Sequence, residues 1–224
     1  MTTFHSLGLQ DPEHLLIQKT QNDIGIYRGS SLGVIYVPQI LKMLKKGITR
    51  GEDLRFRNIE ELQLAFEEKR CIYALDARGE IIGFVFFYIQ HSVPSKKPFL
   101  YHSAFIIQPS YRSRGLGRIM KQIAFGMARN SHPKVDILSL TCHPAIIAFN
   151  QKLGFQEITL SKIFEIFGFD VSHDFADCPN LSIQIQERVS KKSISKDIRI
   201  VHTPTGRIFK PMVFFADENA KIVQ

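Results

Sequence analysis

Two glycines and three arginines lie close together just before an apolar stretch with helical periodicity. Gly115 and Gly117 are separated by one residue, and Arg112, Arg114 and Arg118 surround them. The first N–H groups of a helix have no internal partner and lie at the positive end of the helix dipole. Because glycine has no side chain, a phosphate can approach such a backbone closely. The segment therefore predicts a binding site for a pyrophosphate.

Two other phosphate-binding loops do not fit this segment. A Walker A loop requires the pattern GxxxxGK[ST], which is absent from the sequence. A dinucleotide-binding loop needs a third glycine where Met120 stands, and an acid at the end of the next strand, which Asp136 begins. The remaining pattern is Arg-x-x-Gly-x-Gly over residues 112–117. Its alternative interpretation is a glycine-rich helix start with solvent-exposed arginines.

A second motif follows about one strand and one helix later. Residues 145–155 read Ala-Ile-Ile-Ala-Phe-Asn-Gln-Lys-Leu-Gly-Phe, and residues 107–109, just before the first motif, read Ile-Gln-Pro. With this spacing the motifs resemble those of the GNAT N-acetyltransferase superfamily, and the resemblance covers residues 33–188. It implies an α/β fold of the α+β kind, in which helices flank a mixed, largely antiparallel central sheet.

The resemblance also implies acetyl-CoA as co-substrate, without a metal. In the family, the strand before the loop diverges from its neighbour and binds the pantetheine arm, and the loop amides hold the pyrophosphate. The implied cofactor-binding residues are Phe105, Ile106, Ile107, Arg112, Ser113, Arg114, Gly115, Leu116, Gly117, Arg118 and Asn150.

The implied reaction is direct attack of an amine on the thioester, which needs a proton acceptor and a hydrogen-bond donor for the oxyanion. Tyr101 occupies the position where the family often has a glutamate base, and Asn150 occupies the position of the usual tyrosine acid. Tyr101 and Asn150 are therefore the catalytic candidates. Asparagine can donate to a thiolate but cannot protonate it, and a thiol of pKa about 8.5 can leave as the anion. A β-bulge in this strand would favour His102 over Tyr101.

Apolar periodicity and turn residues predict the elements that position these groups. The predicted strands cover residues 14–18, 33–37, 71–75, 81–90, 99–108, 135–141, 154–160 and 181–188. The predicted helices cover residues 37–46, 58–69, 115–129 and 144–153. This order of elements indicates a mixed sheet with helices rather than a doubly wound fold.

Charge and composition suggest three regions. We expect an N-terminal extension or first strand over residues 1–32, the acyltransferase domain over residues 33–188, and a basic C-terminal extension over residues 189–224. Lysine and arginine number 29 against 21 acids, and many of these cations follow residue 187. Interleaved aromatic residues that would stack on bases are absent there, so we do not expect nucleic acid as a partner.

Cysteine usage and hydropathy indicate the cellular compartment in which the protein is expected. Three cysteines, Cys71, Cys142 and Cys178, show no paired spacing, which favours a reducing compartment. The first residues lack the pattern of a signal peptide, and no apolar run is long enough to cross a bilayer. We therefore expect a cytoplasmic protein with no membrane partner.

The sequence thus predicts an enzyme that moves an acetyl group from acetyl-CoA to an amine of a small molecule or a protein. The alternative is a CoA-binding module with weak or no catalysis that serves regulation or interaction. A nucleic-acid-associated protein is a third hypothesis, which rests on the basic C-terminal region alone. The sequence does not determine the acceptor, the length of the acyl chain or whether the protein forms a homodimer.

Overall fold

The chain folds around one large β-sheet with helices on both faces. The structure, a computed structural model, describes residues 16–20, 23–52, 54–55, 57–168, 181–190, 193–202 and 205–216. Its strands are β1 (Leu16–Lys19), β2 (Gly25–Arg28), β3 (Cys71–Leu75), β4 (Ile81–His91), β5 (Pro98–Ile107), β6 (Asp136–Thr141), β7 (Gln156–Glu157), β8 (Leu181–Ser190), β9 (Ser193–His202), β10 (Arg207–Ile208) and β11 (Lys210–Phe214). Its α-helices are α1 (Val37–Thr49), α2 (Ile59–Glu67), α3 (Leu116–Ser131), α4 (Pro144–Lys152) and α5 (Leu160–Phe167).

The main sheet has eight strands in the order β1-β2-β3-β4-β5-β6-β11-β7. All neighbouring strands in it are antiparallel except β5 and β6, which pair in parallel. β8, β9 and β10 form a separate antiparallel sheet of three strands. The predicted mixed, largely antiparallel sheet is confirmed.

α1 and α2 cover one face of the main sheet. A proline in the first turn suits the start of α1, because the proline nitrogen needs no acceptor there. At the start of α2, the Asn58 side chain accepts from the Glu61 N–H, and the Glu61 side chain accepts from the Asn58 N–H. Both helices bury apolar side chains against β3, β4 and β5. The shared core cluster includes Ile40, Leu44, Leu62, Phe66, Phe84, Phe86 and Ile106.

α3 covers the opposite face. Its Leu116, Met120 and Ala124 share one side of the helix and pack against Val85 and Ile107 of the sheet. Further along the same face, residues of α3, α4 and β11 join a second cluster that contains Phe155 and Met212. The sheet is thereby held between two helical layers, as the sequence predicts.

Two sequence-predicted strands are wrong. Residues 33–37 fall mostly in a 3-10 helix (Ser31–Tyr36) that leads directly into α1. Residues 154–160 form a strand of only two residues, β7, and then α5 begins. The Thr159 side chain caps α5 by accepting from the Lys162 N–H, and Gly168 ends it with φ of 62°. Apolar residues at helical spacing, such as Ile163 and Phe167, are the sequence signal for α5.

The structure places the C-terminal region differently from the predicted basic extension. β11 lies inside the main sheet, where it pairs with β6 and β7. Met212 and Val213 of this strand are completely buried. β8 also continues to Ser190, past the predicted boundary at residue 188. Residues 211–215 are five consecutive apolar residues, and their burial stabilises β11 in the sheet. Because basic residues surround this run, the composition of the whole region does not reveal it.

None of the helices in the described ranges combines the length and the apolar character that spanning a bilayer requires. Residues 1–15 and Cys178, which figure in the sequence predictions, lie outside the described residues.

Replacing Met212 with alanine tests the central place of β11. We expect Met212→Ala to lower the free energy of unfolding by about 2–5 kcal/mol, because it empties a fully buried site. The matched control is Ile208→Ala in β10, where the side chain is 44% exposed and the expected loss is within about 1 kcal/mol. Urea denaturation of both variants measures the difference. Equal losses would contradict a central β11.

Candidate functional site

β5 and β6 stay together for only part of their length. Their parallel pairing runs from Phe99↔Asp136 to His102↔Ser139 and ends there. β5 nevertheless remains paired with β4 as far as Ile107. The two central strands therefore diverge and open the sheet. A cleft of about 770 Å³ lies in this opening, lined by residues from β5, α3, α4 and the loops beside them.

β5 carries a bulge at the point where it leaves β6. Phe87 of β4 pairs with His102 and Val85 pairs with Phe105, so Phe86 alone faces both Ser103 and Ala104. The bulge changes which side chains share a face. Tyr101 points away from α3, into the cluster that contains Phe99, whereas Phe105 points toward α3.

The predicted pyrophosphate loop lies at the mouth of the cleft. Ser113 and Gly115 have positive φ angles of 61° and 80°, a left-handed conformation that occurs in anion-binding turns. A Cβ added at Gly117 would stand 3.2 Å from Ile107 Cδ1 and 3.3 Å from the Phe105 ring. The absence of a side chain at Gly117 therefore lets the helix start approach β5 closely.

Most of the predicted cofactor residues come together here. Phe105, Ile106, Ile107, Arg112, Ser113, Gly115, Gly117 and Arg118 all line the cleft. Arg114 does not, because its guanidinium lies over the Tyr111 ring at 5.6 Å. The Leu116 side chain is buried in the core, which leaves its backbone as its only route to a ligand.

The charge of the cleft is strongly positive. Arg112 binds both carboxylate oxygens of Glu52 at 2.8 Å and donates to the Ile107 carbonyl oxygen, which ties the loop to β5. Glu52 is the single acid among the described lining residues. The basic residues that line the cleft are Arg112, Arg118, Lys121, Lys152 and Arg207. Such an excess suits a polyanionic ligand.

α4 forms the far wall, but it turns Asn150 away from the cleft. Ile146 and Phe149 line the cleft, whereas Asn150 is completely buried on the sheet side of the helix. Its Nδ2 atom lies 3.2 Å from Ser139 Oγ and 3.6 Å from Met212 Sδ. Asn150 thus joins α4 to β6 and β11. The structure does not bring it to the cofactor cleft.

A smaller pocket continues from the cleft beyond the bulge. Its volume is about 60 Å³, and it shares Leu54, Phe105, Lys121 and Ile146 with the large cleft. Tyr101, His102 and Ser103 line it, so the structure brings the predicted Tyr101 to this site. Its remaining charged walls come from Arg55 and Arg57, which precede α2. The sequence analysis missed both arginines, because the loop before α2 carries no motif.

Lys121 is the group that the sequence analysis missed most clearly. It lies on α3 and lines both the large cleft and the smaller pocket. Burial lowers the pKa of Lys121 to about 7, and no carboxylate offsets that burial. Burial holds the pKa of His102 well below its usual range, and the charge of the nearby Lys121 lowers it further. Lys121, in the wall shared by the two cavities, and His102, in the smaller pocket, are therefore two basic groups that lose their protons easily.

The described residues contain no group of three or more His, Cys, Asp or Glu arranged to hold a metal ion. The expectation that the protein uses no metal stays a prediction.

Comparison with protein families gives one match. Residues 39–155 match the model described as the acetyltransferase (GNAT) family, and this span covers more than half of the chain. No curated protein matches the chain.

Several solved structures share the fold. The phosphinothricin acetyltransferase of Sinorhizobium meliloti in complex with AcCoA has a TM-score of 0.52 and 14% identity, over 85% of this chain and 87% of that chain. The mosquito arylalkylamine N-acetyltransferase like 5b has a TM-score of 0.54 and 13% identity, over 85% and 99%. The NatC complex bound to Gag peptide and CoA has a TM-score of 0.54 and 12% identity, over 85% and 97%. At these identities the likeness concerns the fold.

The buried charge of Lys121 predicts a pH-dependent stability. Its folded pKa of about 7 lies below the ordinary lysine value of 10.5, so folding disfavours the proton and stability rises with pH between these values. We expect Lys121→Met to be more stable than the wild type at pH 7. That advantage should shrink by at most about 1.4 kcal/mol for each pH unit up to 10.5.

Thermal and urea denaturation from pH 6.5 to 10 measure this effect. Lys45→Met, which removes an exposed lysine from α1, is the matched control and should leave the pH dependence of the wild type unchanged. A constant difference between Lys121→Met and the wild type across this range would contradict a desolvated Lys121.

Proposed function

Because the chain belongs to the acetyltransferase (GNAT) family, we propose that it transfers an acetyl group from acetyl-CoA to an amine of a small molecule or a protein. The observation that carries this proposal is the divergence of β5 from β6, with the glycine loop at the mouth of the resulting cleft. This arrangement offers unpaired strand backbone for an amide-containing arm and helix N–H groups for phosphates.

In this proposal the pyrophosphate lies at the loop from Ser113 to Arg118, including the Leu116 amide. Positive φ at Ser113 and Gly115 directs backbone N–H groups into the mouth, where Arg118 adds charge. The pantetheine arm follows the edge of β5 along Phe105, Ile106 and Ile107. Arg112 is already paired with Glu52, so its main contribution is to fix the loop against β5. Arg114 stacks on Tyr111, which makes it the weakest phosphate candidate.

The chemistry is nucleophilic substitution at the thioester carbonyl. A neutral amine forms the C–N bond, the C–S bond breaks, and CoA leaves as a thiolate. The amine's proton then needs an acceptor. We assign that role to Lys121 Nζ, because it lies in the wall shared by both cavities and is neutral above pH 7. Tyr101 lines the acceptor side, and in this proposal its hydroxyl orients the amine.

Asn150 has a positioning role in this mechanism. It reaches the acceptor pocket only through Ser139, which lines that pocket and accepts from Asn150 Nδ2. CoA therefore leaves without a protein acid, which the low pKa of a thiol permits. The absence of an acid at this position favours the second candidate, a CoA-binding module with weak or no catalysis.

Acetyl-CoA binding should depend on the two glycines of the loop. Gly115→Ala forces a side chain into a positive-φ conformation at a cost of about 1–2 kcal/mol, and Gly117→Ala crowds Phe105 and Ile107. We expect either change to raise the Kd for CoA by about tenfold or more, as measured by isothermal titration calorimetry. Gly126→Ala, in the same helix with open space around it, is the matched control and should leave the Kd unchanged. Equal effects at all three glycines would place the cofactor elsewhere.

Catalysis is tested by thiol release from acetyl-CoA with a panel of amines, at pH 6 to 9. We expect turnover that rises with pH around an apparent pKa near 7 and a loss of that limb in Lys121→Met. A thermal shift with acetyl-CoA, run in parallel, reports binding. A shift without turnover for any amine would favour the binding module, and no shift at saturating acetyl-CoA would exclude both functions.

A further inference from the structure

Arg57 is a charged side chain held almost completely inside the protein. Its side chain is 4% exposed, and its guanidinium lies 5.4 Å from the centroids of both the Phe86 and Tyr88 rings. The Nη1 atom donates to the Tyr88 hydroxyl, and Nη2 donates to Ser103 Oγ, each at 2.5 Å. These contacts fix the guanidinium beside the β5 bulge, in the wall of the smaller pocket.

The hydrogen bonding of Arg57 is incomplete. A guanidinium has five N–H donors in a planar fork. Nη1 also lies 3.5 Å from Glu61 Oε1, while Nε is buried and has no partner among the described residues. A buried donor without an acceptor costs free energy, more so when it is charged. Since Nε is out of reach of solvent, an acceptor oxygen in the pocket would meet the rest of the Arg57 guanidinium.

The balance of charge around the pocket also favours an anion. Arg55 and Arg57 line the pocket, and none of its described lining residues is an acid. Burial alone would raise the pKa of Glu61, but hydrogen bonding by Tyr88 and the charge of Arg57 lower it overall, so Glu61 is ionised. Glu61 is not among the residues that line the pocket, and it lies 3.3 Å from Arg55 and 3.5 Å from Arg57. Burial raises the pKa of Tyr88 to about 12, so this tyrosine stays neutral and adds no negative charge.

From these observations we infer that the acceptor is an amino acid or a similarly small amino carboxylate, whose carboxylate binds Arg57. This inference rests on the proposed acetyl transfer. The pocket of about 60 Å³ admits a group of carboxylate size, and it adjoins the cleft through Phe105 and Lys121. The amine and the carboxylate are consequently separated by only a few bonds. The same positive walls disfavour polyamines and lysine-rich peptides as acceptors.

The test compares α-amino acids with their α-amides in the thiol-release assay. Amidation removes the negative charge and keeps the amine and the side chain. We expect kcat/KM to be at least about tenfold higher for the acids, because a charged hydrogen bond is lost in the amides. Arg57→Gln should remove this preference and leave the KM for acetyl-CoA unchanged, and Arg57→Lys should restore part of it. Arg78→Gln, at an exposed turn, is the control and should keep the preference.

The outcomes separate this inference from the proposed function. Turnover of amides equal to that of acids would overturn the carboxylate site and leave acetyl transfer intact. If neither series is acetylated while other amines of the panel are, the carboxylate site is overturned and acetyl transfer stands. If no amine at all is acetylated although acetyl-CoA raises the melting temperature, the transferase proposal fails. In that case, the carboxylate site is tested by thermal shifts of the CoA-loaded protein with N-acetyl amino acids and with their amides. Equal shifts for the two would overturn it, and a preference for the acids that Arg57→Gln abolishes would support it.

Discussion

The parallel pairing of β5 with β6 ends after four residue pairs, and the rest of the site depends on that limit. A sheet whose centre opens would lose its core if either diverging strand had no partner on its outer edge. Here β4 pairs with β5 along eight positions, and β11 pairs with β6 along five. Each strand is thus anchored on its outer edge while its inner edge is released. The last strand of the described residues therefore supports one wall of the opening, although it lies far from the glycine loop in the sequence.

The divided sheet gives the cleft two chemically different ends. At the mouth, the loop with Gly115 and Gly117 presents backbone N–H groups and cations that suit phosphates. Beyond the bulge, where Ser103 and Ala104 face Phe86 alone, a small pocket presents Arg57 and Tyr101 instead. Lys121 stands in the wall that both ends share. A donor that enters from one end and an acceptor that enters from the other would meet beside this lysine.

Local patterns predicted the fold and the cofactor loop, because glycine spacing and apolar periodicity are properties of short segments. Local patterns could not predict the roles of side chains whose surroundings depend on tertiary contacts. Asn150 is turned into the core by the helical angle of α4, and Lys121 is desolvated only because α3 packs on β5. Arg57 acquires its role from Tyr88 and Ser103, which lie 31 and 46 residues away in the sequence. The apolar residues of β11 could be seen in the sequence, but the basic residues around them favoured a solvent-exposed extension over a buried strand.

Hydrogen–deuterium exchange, measured with and without saturating acetyl-CoA, tests most directly whether the diverging strands hold the cofactor. The account predicts strong protection of residues 103–107 and 113–118 in the presence of acetyl-CoA. Strands β1 and β2, at the far edge of the main sheet from the cleft, should exchange at the same rate in both samples. Protection that is absent from residues 103–107, or that is spread evenly over the chain, would contradict the assignment of this cleft to acetyl-CoA.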